Sequence, residues 1–247
     1  MSMARDLARA LDPVVLAREA GIKPDPWQAG VLRSTAKRSL LLCCRQSGKS
    51  TTTGLKALHR AIYKPRSTTL ILSPSQRQSA ELQRSVMGYC SKLRGIPGLK
   101  QESVMKSEFD NGSRIIALPG TGDTVRSYTA DLVILDEASR IEDQLLAAVR
   151  PMLATTGGEL ICLTTPAGKR GFFYEAWTGD GDWERVKITA DECPRITEEF
   201  LEAELKDLGP QRYSEEYFCS WLDNDAAVFP VGVIQNAFTA DVTPLWS

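Results

Sequence analysis

The sequence predicts an α/β fold in which a mostly parallel sheet is sandwiched between helices, with a small helical lid subdomain beside it. Short apolar runs recur along the chain, and segments of helical character separate them. Runs of this kind suit strands that are buried on both faces of a parallel sheet. A Gly-Lys-Ser turn follows the first run and an Asp-Glu pair follows a later one. Strands alternating with helices, and polar motifs at strand ends, favour a nucleotide-binding sheet.

The predicted elements follow from local signals in the sequence. Two prolines, Pro24 and Pro26, force an extended segment before the helix that starts at Trp27. Ser75 is a plausible N-cap, and Asn111-Gly112 is a hairpin turn. The predicted helices span residues 4–20, 27–32, 49–63, 75–92, 142–154, 198–206 and 211–221. The predicted strands span residues 39–43, 68–72, 132–135 and 159–163, with a hairpin over 109–117 and loops over 94–101 and 119–128.

These elements divide the chain into three parts. Residues 1–170 form the core with the sheet, and residues 171–225 form the small lid, which is rich in aromatic and acidic residues. Residues 226–247 carry a weaker pattern and are expected to begin a linker toward a further domain that this chain does not supply.

Composition restricts the classes of function. The chain has 247 residues, a hydrophobic share of 43% and a formal net charge of −1, so it has a full core and no global attraction to nucleic acid. Its six cysteines show no C-x-x-C or metal-ligand spacing, and they are expected to act as small hydrophobic residues. No apolar run approaches 20 residues, so we expect a soluble, intracellular protein without a membrane segment.

Residues 43–50 read Cys-Cys-Arg-Gln-Ser-Gly-Lys-Ser and carry the first functional signal. A strand, a Gly-Lys-Ser turn and a helix form the context of a phosphate-binding loop, where backbone N–H groups and a helix N-terminus face the anion. Lys49 would reach the β- and γ-phosphates, and Ser50 would ligate Mg²⁺. Cys43 replaces the first glycine of the G-x-x-x-x-G-K-[ST] pattern. Taken alone, the motif leaves an ordinary polar turn as the alternative.

The second signal comes roughly 90 residues later, where four apolar residues end in Asp136-Glu137. Asp136 would hold Mg²⁺, and Glu137 would orient and polarise the attacking water. A solvated acidic turn is the alternative for this pair by itself. The two motifs together predict a Mg²⁺-dependent ATPase with a P-loop NTPase fold.

The motifs as a set resemble the ATPase half of the large terminase subunit of tailed bacteriophages, which has a RecA/ASCE-like fold. That family's phosphate loop often lacks the first glycine and places Arg-Gln before the x-Gly-Lys. The resemblance covers roughly residues 20–225. The matching segments are Trp27-Gln28, Arg45-Gln46-Ser47-Gly48-Lys49-Ser50, Ile134-Leu135-Asp136-Glu137-Ala138, Leu163-Thr164-Thr165-Pro166-Ala167-Gly168 and Tyr217-Phe218-Cys219-Ser220-Trp221-Leu222.

The resemblance implies ATP and Mg²⁺ as ligands and assigns roles to individual residues. Trp27 and Gln28 would contact the adenine, and the loop from Arg45 to Ser50 would bind the phosphates. Thr164 and Thr165 would belong to the coupling motif, or merely end a strand. Arg126 would be an arginine finger that acts on the neighbouring subunit's γ-phosphate, or else a surface arginine. Arg45 would sense the phosphates or only form a salt bridge across the loop.

The resemblance also implies partners. They are double-stranded DNA, a homo-oligomeric ring that is a pentamer in this family, the portal protein and the small terminase subunit, all in the host cytoplasm at a procapsid. A basic rim facing DNA is a further hypothesis, and solvated surface is its alternative. Its candidate residues are Lys92, Arg94, Lys100 and Lys106. The family's nuclease half is not supplied by this chain.

Two other functions remain open from the sequence. A helicase-like DNA-dependent ATPase needs a second RecA-like domain, and residues 166–247 are too short for one. The second alternative is a non-catalytic module that binds ATP to organise partners. The presence of all four residues argues against it, since an inactive ATPase usually lacks at least one of Lys49, Ser50, Asp136 and Glu137.

Overall fold

The computed structural model describes residues 3–120, 125 and 127–222. Within them, eight strands form one sheet in the order β3-β4-β5-β2-β6-β7-β1-β8. The strands are β1 (Arg38–Cys43), β2 (Thr68–Ser73), β3 (Leu99–Glu102), β4 (Lys106–Phe109), β5 (Arg114–Pro119), β6 (Leu132–Asp136), β7 (Glu159–Thr164) and β8 (Glu184–Ile188). The strands from β5 to β8 in this order are parallel, whereas β4 and β3 add on as antiparallel strands. The predicted α/β class and mostly parallel sheet are confirmed.

Helices connect the strands and cover the sheet. They are α1 (Met3–Leu11), α2 (Pro13–Glu19), α3 (Pro26–Arg33), α4 (Lys49–Tyr63), α5 (Gln76–Cys90), α6 (Asp143–Ala154), α7 (Gly171–Thr178) and α8 (Glu198–Phe218), with short 3₁₀ turns at Ala138–Arg140 and Ala190–Glu192. The connections through α4 and α5 cross the sheet in one direction, and the connection through α6 crosses in the other. Because such crossovers are right-handed, the two sets lie on opposite faces.

The inner strands are buried because both faces of the sheet are covered. Every residue of β2 and β6 is buried, and so is the Leu40–Leu42 run of β1. These are the continuous apolar runs of the sequence, as expected for a parallel sheet between two helical layers. All six cysteines are free and buried, in agreement with their prediction as small hydrophobic residues.

The order of the inner strands positions the site. β7 lies between β1 and β6, so three carboxyl ends meet at the edge where the crossover direction reverses. Open α/β sheets bind ligands at this kind of switch point. The loop after β1, the acidic residues after β6 and the threonines that end β7 are therefore neighbours.

The N-terminal helix and one loop differ from the prediction. The single helix predicted over residues 4–20 is two helices, because Pro13 starts α2 and the Asp12 carboxylate accepts a 3.0 Å hydrogen bond from the Val14 N–H. The segment predicted as a loop over 94–101 includes the start of a strand, because β3 begins at Leu99.

The C-terminal part also differs from the prediction. The region after Thr165 was expected to be helical, yet it contributes β8, which pairs with β1. The two helices predicted at 198–206 and 211–221 are present, and they adjoin within α8 at Gly209, whose φ of 73° and ψ of 164° are not helical. The division at residues 170 and 225 stays a prediction, and residues 226–247 lie outside the described residues. Within the described part of the chain, no helix is both long enough and apolar enough to span a bilayer.

Candidate nucleotide-binding site

The phosphate loop, residues 44–48, joins β1 to α4 in a conformation suited to an anion. Gln46 and Gly48 both adopt positive φ, at 58° and 90°, and α4 begins at Lys49. Successive N–H groups in such a turn, followed by a helix N-terminus, form a concave anion-binding surface. The Ser47 hydroxyl donates to the Cys44 carbonyl at 2.9 Å and closes the turn. Cys43, at the position of the missing first glycine, is the buried last residue of β1.

Lys49 connects the three strand ends that form the site. Its ammonium group is 3.1 Å from the Thr165 hydroxyl after β7 and 3.4 Å from a Glu137 carboxylate oxygen after β6. The residue is only 9% exposed, so its charge acts in a partly desolvated environment. The structure thus brings Lys49 next to the acidic pair.

Asp136 and Glu137 place two carboxylates side by side at the end of β6. Burial raises the pKa of Asp136 to about 6, with a contribution from the Glu137 charge, while Lys49 and hydrogen bonds from the Glu137 N–H and from Ser50 oppose the rise. The Glu137 N–H lies 3.1 Å from Asp136 Oδ1. Glu137 itself has φ 52°, a left-handed conformation that an L-residue adopts at a cost and that is frequent at functional sites.

These residues fit a magnesium ion. Two carboxylates and a serine hydroxyl are oxygen donors of the kind Mg²⁺ prefers. The ionised Asp136 carboxylate is destabilised by burial and by Glu137, so a divalent cation would offset an existing cost. In the described part of the chain, no group of three or more His, Cys, Asp or Glu is arranged to hold a metal ion, so phosphate oxygens and water would have to supply the remaining ligands.

A cavity of about 210 Å³ opens beside these carboxylates. Ser50, Asp136 and Glu137 line one side of it, and Gln78 and Glu81 of α5 line the other. The cavity leaves room next to Glu137 for a water molecule and a terminal phosphate.

Thr164 and Thr165 end β7 between the loop and the acidic pair. The Thr164 hydroxyl donates to the Thr165 carbonyl at 2.7 Å and accepts from the Ser139 N–H at 3.3 Å. Thr164 thus connects the end of β7 to the 3₁₀ turn after Glu137, whereas Thr165 contacts Lys49. Both threonines predicted from the coupling motif lie within the site.

Trp27 and Gln28 lie at the start of α3, next to the phosphate loop. The Gln28 side chain is buried, accepts from the Asp25 N–H at 2.9 Å and donates to the Ser47 carbonyl at 3.3 Å. A Cβ atom at Gly48 would stand 2.6 Å from the Gln28 amide nitrogen, and the φ of 90° at Gly48 also favours glycine here. Trp27 is half-buried against the core.

Arg195 is a residue of the site that the sequence analysis missed. It follows β8 and donates from Nη2 to the Ser47 carbonyl at 2.8 Å, while Nη1 lies 2.8 Å from the Asp25 carboxylate. No local motif marks it, because it is separated from Ser47 by 148 positions. Only the pairing of β8 with β1 brings it to the loop.

Two glutamates near the end of α8 contact the loops of the site. Glu216 pairs with Arg45 at 2.8 Å and its carbonyl accepts from the Arg45 N–H at 3.0 Å. Glu215 accepts from the Gly168 N–H at 3.4 Å. Arg45 thus forms a salt bridge to α8 in this structure.

The remaining predicted residues lie elsewhere. Arg126, the proposed finger, lies outside the described residues. Lys100 and Lys106, on β3 and β4, both pair with Glu108, at 3.5 Å and 3.1 Å. Lys92 and Arg94 follow α5 and line a cavity together with residues of α1 and α2. The structure therefore places these four basic residues in two groups.

Fold and site together define a P-loop nucleotide-binding protein with a RecA-type sheet. A model of the family described as the N-terminal part of the T4likevirus-type large terminase subunit matches residues 40–235. The chain belongs to this large terminase family.

Individual relatives agree with this assignment. The large terminase subunits of Thermus phage G20c and Thermus virus P23-45 are each 29% identical to it in an alignment of 189 residues that covers 64% of this chain and 38% of theirs. The chain therefore spans well under half the length of the curated relatives it matches.

Solved structures share the fold. The large terminase ATPase domain of Thermus phage P74-26 superposes with a TM-score of 0.71 at 22% identity, covering 83% of this chain and 97% of that one. The HK97 bacteriophage large terminase gives 0.67 at 14% identity, covering 81% and 51%. The large terminase of bacteriophage D6E in complex with ATP-gamma-S gives 0.62 at 13% identity, covering 80% and 52%.

Proposed function

We propose that this chain hydrolyses ATP with Mg²⁺, and that in the complete protein this hydrolysis drives double-stranded viral DNA into a procapsid. The observation that carries the proposal is the position of the Lys49 ammonium, 3.1 Å from Thr165 and 3.4 Å from Glu137, at the start of α4. A cation at a helix N-terminus with a carboxylate beside it suits the transfer of a phosphoryl group to water. Membership of the large terminase family supports the biological role.

Each group of residues in the site would have a separate role in ATP hydrolysis. Backbone N–H groups of the phosphate loop and the Lys49 ammonium would bind the β- and γ-phosphates. Ser50 and Asp136 would hold Mg²⁺, which when bound neutralises charge on the phosphate oxygens. Glu137 would orient a water molecule and take its proton as the water oxygen bonds to the γ-phosphorus and ADP leaves.

The assembly is part of the same proposal. Arg126 of one subunit would act on the γ-phosphate held by its neighbour, which requires a homo-oligomeric ring, a pentamer by family resemblance. The portal protein, the small terminase subunit and double-stranded DNA would be its partners, at a procapsid in the host cytoplasm. Of the four candidate DNA contacts, Lys92 and Arg94 have no carboxylate partner in the described parts of the chain, so they are the ones to substitute first.

The experiment is a steady-state ATPase assay of the 247-residue chain, with and without double-stranded DNA, beside Lys49→Ala. We expect phosphate release that requires Mg²⁺ and is lost in the variant. Binding of ATP without any hydrolysis would favour the non-catalytic assembly module, and strand separation of a DNA duplex would favour a helicase. Hydrolysis that is unaffected by Lys49→Ala would exclude the site proposed here.

A further inference from the structure

The order of the strands fixes the direction in which a bound nucleotide must lie. The groups suited to the terminal phosphate and metal, Lys49, Asp136 and Glu137, lie on the side of β1 that faces β7 and β6. A triphosphate that runs along the phosphate loop toward them must leave its base and ribose on the other side of β1. That side is formed by β8, by the segment after it and by the start of α3.

Arg195 lies at this nucleoside end of the loop. It follows β8 and the Ala190–Glu192 turn, and it approaches the phosphate loop from the side opposite the carboxylates. Its nearest contacts are the Ser47 carbonyl and the Asp25 carboxylate, each at 2.8 Å. Nη2 would also lie 3.5 Å from a Cβ atom at Gly48, so the guanidinium borders the loop itself.

The contacts of Arg195 are made by the nitrogen atoms of its guanidinium. Asp25 and Ser47 bind the nitrogen edge of the guanidinium, and the side chain is still 47% exposed. A guanidinium held by its edge can stack on an aromatic ring with its face, and it loses little conformational entropy in doing so because it is already fixed. The Asp25 carboxylate, only 13% exposed, is the group that holds it in place.

We propose that Arg195 is a nucleotide-binding residue that forms one wall of the subsite for the base and ribose of ATP. Gln28 stands beside it, because both side chains donate to the Ser47 carbonyl. Asp25 is then a positioning residue that sets the orientation of Arg195. The inference rests on the proposed nucleotide-binding function and adds a residue from the segment between β8 and α8.

The test compares a ligand that has a nucleoside with one that lacks it. Binding of Mg²⁺-ADP and of Mg²⁺-tripolyphosphate is measured by calorimetry on the 247-residue chain and on Arg195→Ala. We expect the variant to bind ADP about tenfold more weakly, a loss of ~1.4 kcal/mol, and to bind tripolyphosphate as the wild type does. Arg195→Lys should resemble Arg195→Ala, because lysine keeps the charge but has no planar face. Arg212→Ala, an exposed arginine of α8, should bind both ligands normally.

Kinetics provide a second measurement. Loss of a contact to the base and ribose should raise KM for ATP about tenfold and leave kcat nearly unchanged. Unchanged ADP affinity in Arg195→Ala would overturn the inference, and so would an equal loss of both ligands, since Arg195 would then only support the loop. If the wild-type chain binds neither ligand, the proposed function fails and this inference fails with it.

Discussion

Lys49 is the residue whose removal should cost the most activity. Its ammonium contacts both Thr165 and Glu137, at the point where the phosphate loop meets the ends of β7 and β6. We expect Lys49→Ala to lower the rate of ATP hydrolysis by about 100-fold or more, measured as phosphate release. Lys206→Ala, an exposed lysine of α8, serves as the control and should keep the wild-type rate.

Substitution of Glu137 should slow ATP hydrolysis and leave ATP binding largely intact. Its carboxylate borders the cavity beside α5, while Lys49 and Asp136 remain to hold Mg²⁺-ATP. In Glu137→Gln, we expect ATP affinity within a few-fold of wild type and turnover about 10²–10⁴-fold lower, because the water loses its base. Calorimetry measures the ATP affinity, and a single-turnover assay measures the rate of hydrolysis. A variant that no longer bound ATP would show instead that Glu137 holds the metal or the fold.

Asp136 should destabilise the nucleotide-free protein. Folding raises the pKa of this carboxyl from 3.8 to about 6, so the folded state favours the protonated form. The free-energy cost of keeping the Asp136 carboxylate ionised in the folded protein is absent at pH values below the unfolded pKa. It grows as the pH rises and is complete above about pH 6, where it is on the order of 1–3 kcal/mol. Without nucleotide, Asp136→Asn should therefore be more stable than wild type at pH 8, with the gain falling by roughly half at pH 5.

Denaturant unfolding at the two pH values measures this difference. Added Mg²⁺-ADP should stabilise the wild type more than Asp136→Asn, because the variant lacks the charge that holds the metal. Equal stability of the two proteins at both pH values would contradict the assignment of a raised pKa to Asp136.

At the scale of the elements, the junction between α6 and β7 has a tight backbone contact at Gly158. A Cβ atom at Gly158 would stand 2.8 Å from the carbonyl oxygens of Ala130 and Asp131 and 2.7 Å from a Leu153 methyl group. Gly158→Ala should lower the free energy of unfolding by about 1–3 kcal/mol, because backbone must move. Gly88→Ala in α5 is the matched control. It has open space around it and should raise stability by up to about 1 kcal/mol.

The inner elements could be predicted from the sequence, and the outer strands could not. β2 and β6 are covered on both faces and therefore appear as apolar runs. β3 and β8 are the two edges of the sheet, and their residues are mostly exposed, as in Lys100 and Glu184. An exposed edge strand has no hydrophobic run that would distinguish it from a loop, so its pairing becomes evident only in three dimensions.

The same distinction holds within the site. Gly48-Lys49-Ser50 and Asp136-Glu137 were predictable because each motif is contiguous in sequence and has a strand before it. Arg195 was not, because it reaches the loop only through the parallel pairing of β8 with β1. The salt bridge between Arg45 and Glu216 likewise joins two distant segments that no local pattern connects.

At the scale of the assembled molecule, the arginine finger can be tested by complementation. Arg126→Ala keeps a complete phosphate loop, and Lys49→Ala keeps a complete finger. Neither should hydrolyse ATP alone, yet a mixture should regain activity where the two kinds of subunit are neighbours, and this activity should rise with protein concentration. A finger of this type contributes about 10³–10⁵ in rate in related NTPases.

The mixture should also be assayed in the full-length protein with procapsids, where neighbouring subunits are held together. If Arg126 is a finger that acts in trans, Arg126→Ala should bind ATP with near-normal affinity in either setting, because its own site would use the finger of another subunit. Full activity of Arg126→Ala in the assembled motor would rule out the finger and leave Arg126 as a surface residue.

The two consecutive glutamates of α8 have a mechanical consequence. Glu216 contacts Arg45 after β1, and Glu215 contacts Gly168 after β7, so the segment of α8 that follows Gly209 joins two loops of the site. Linkage between binding and displacement is reciprocal. If nucleotide binding displaces this segment of α8, a force that displaces the segment must in turn change the affinity for nucleotide. If the complete protein packages DNA as proposed, the load on this segment of α8 would then affect how tightly the spent nucleotide is held.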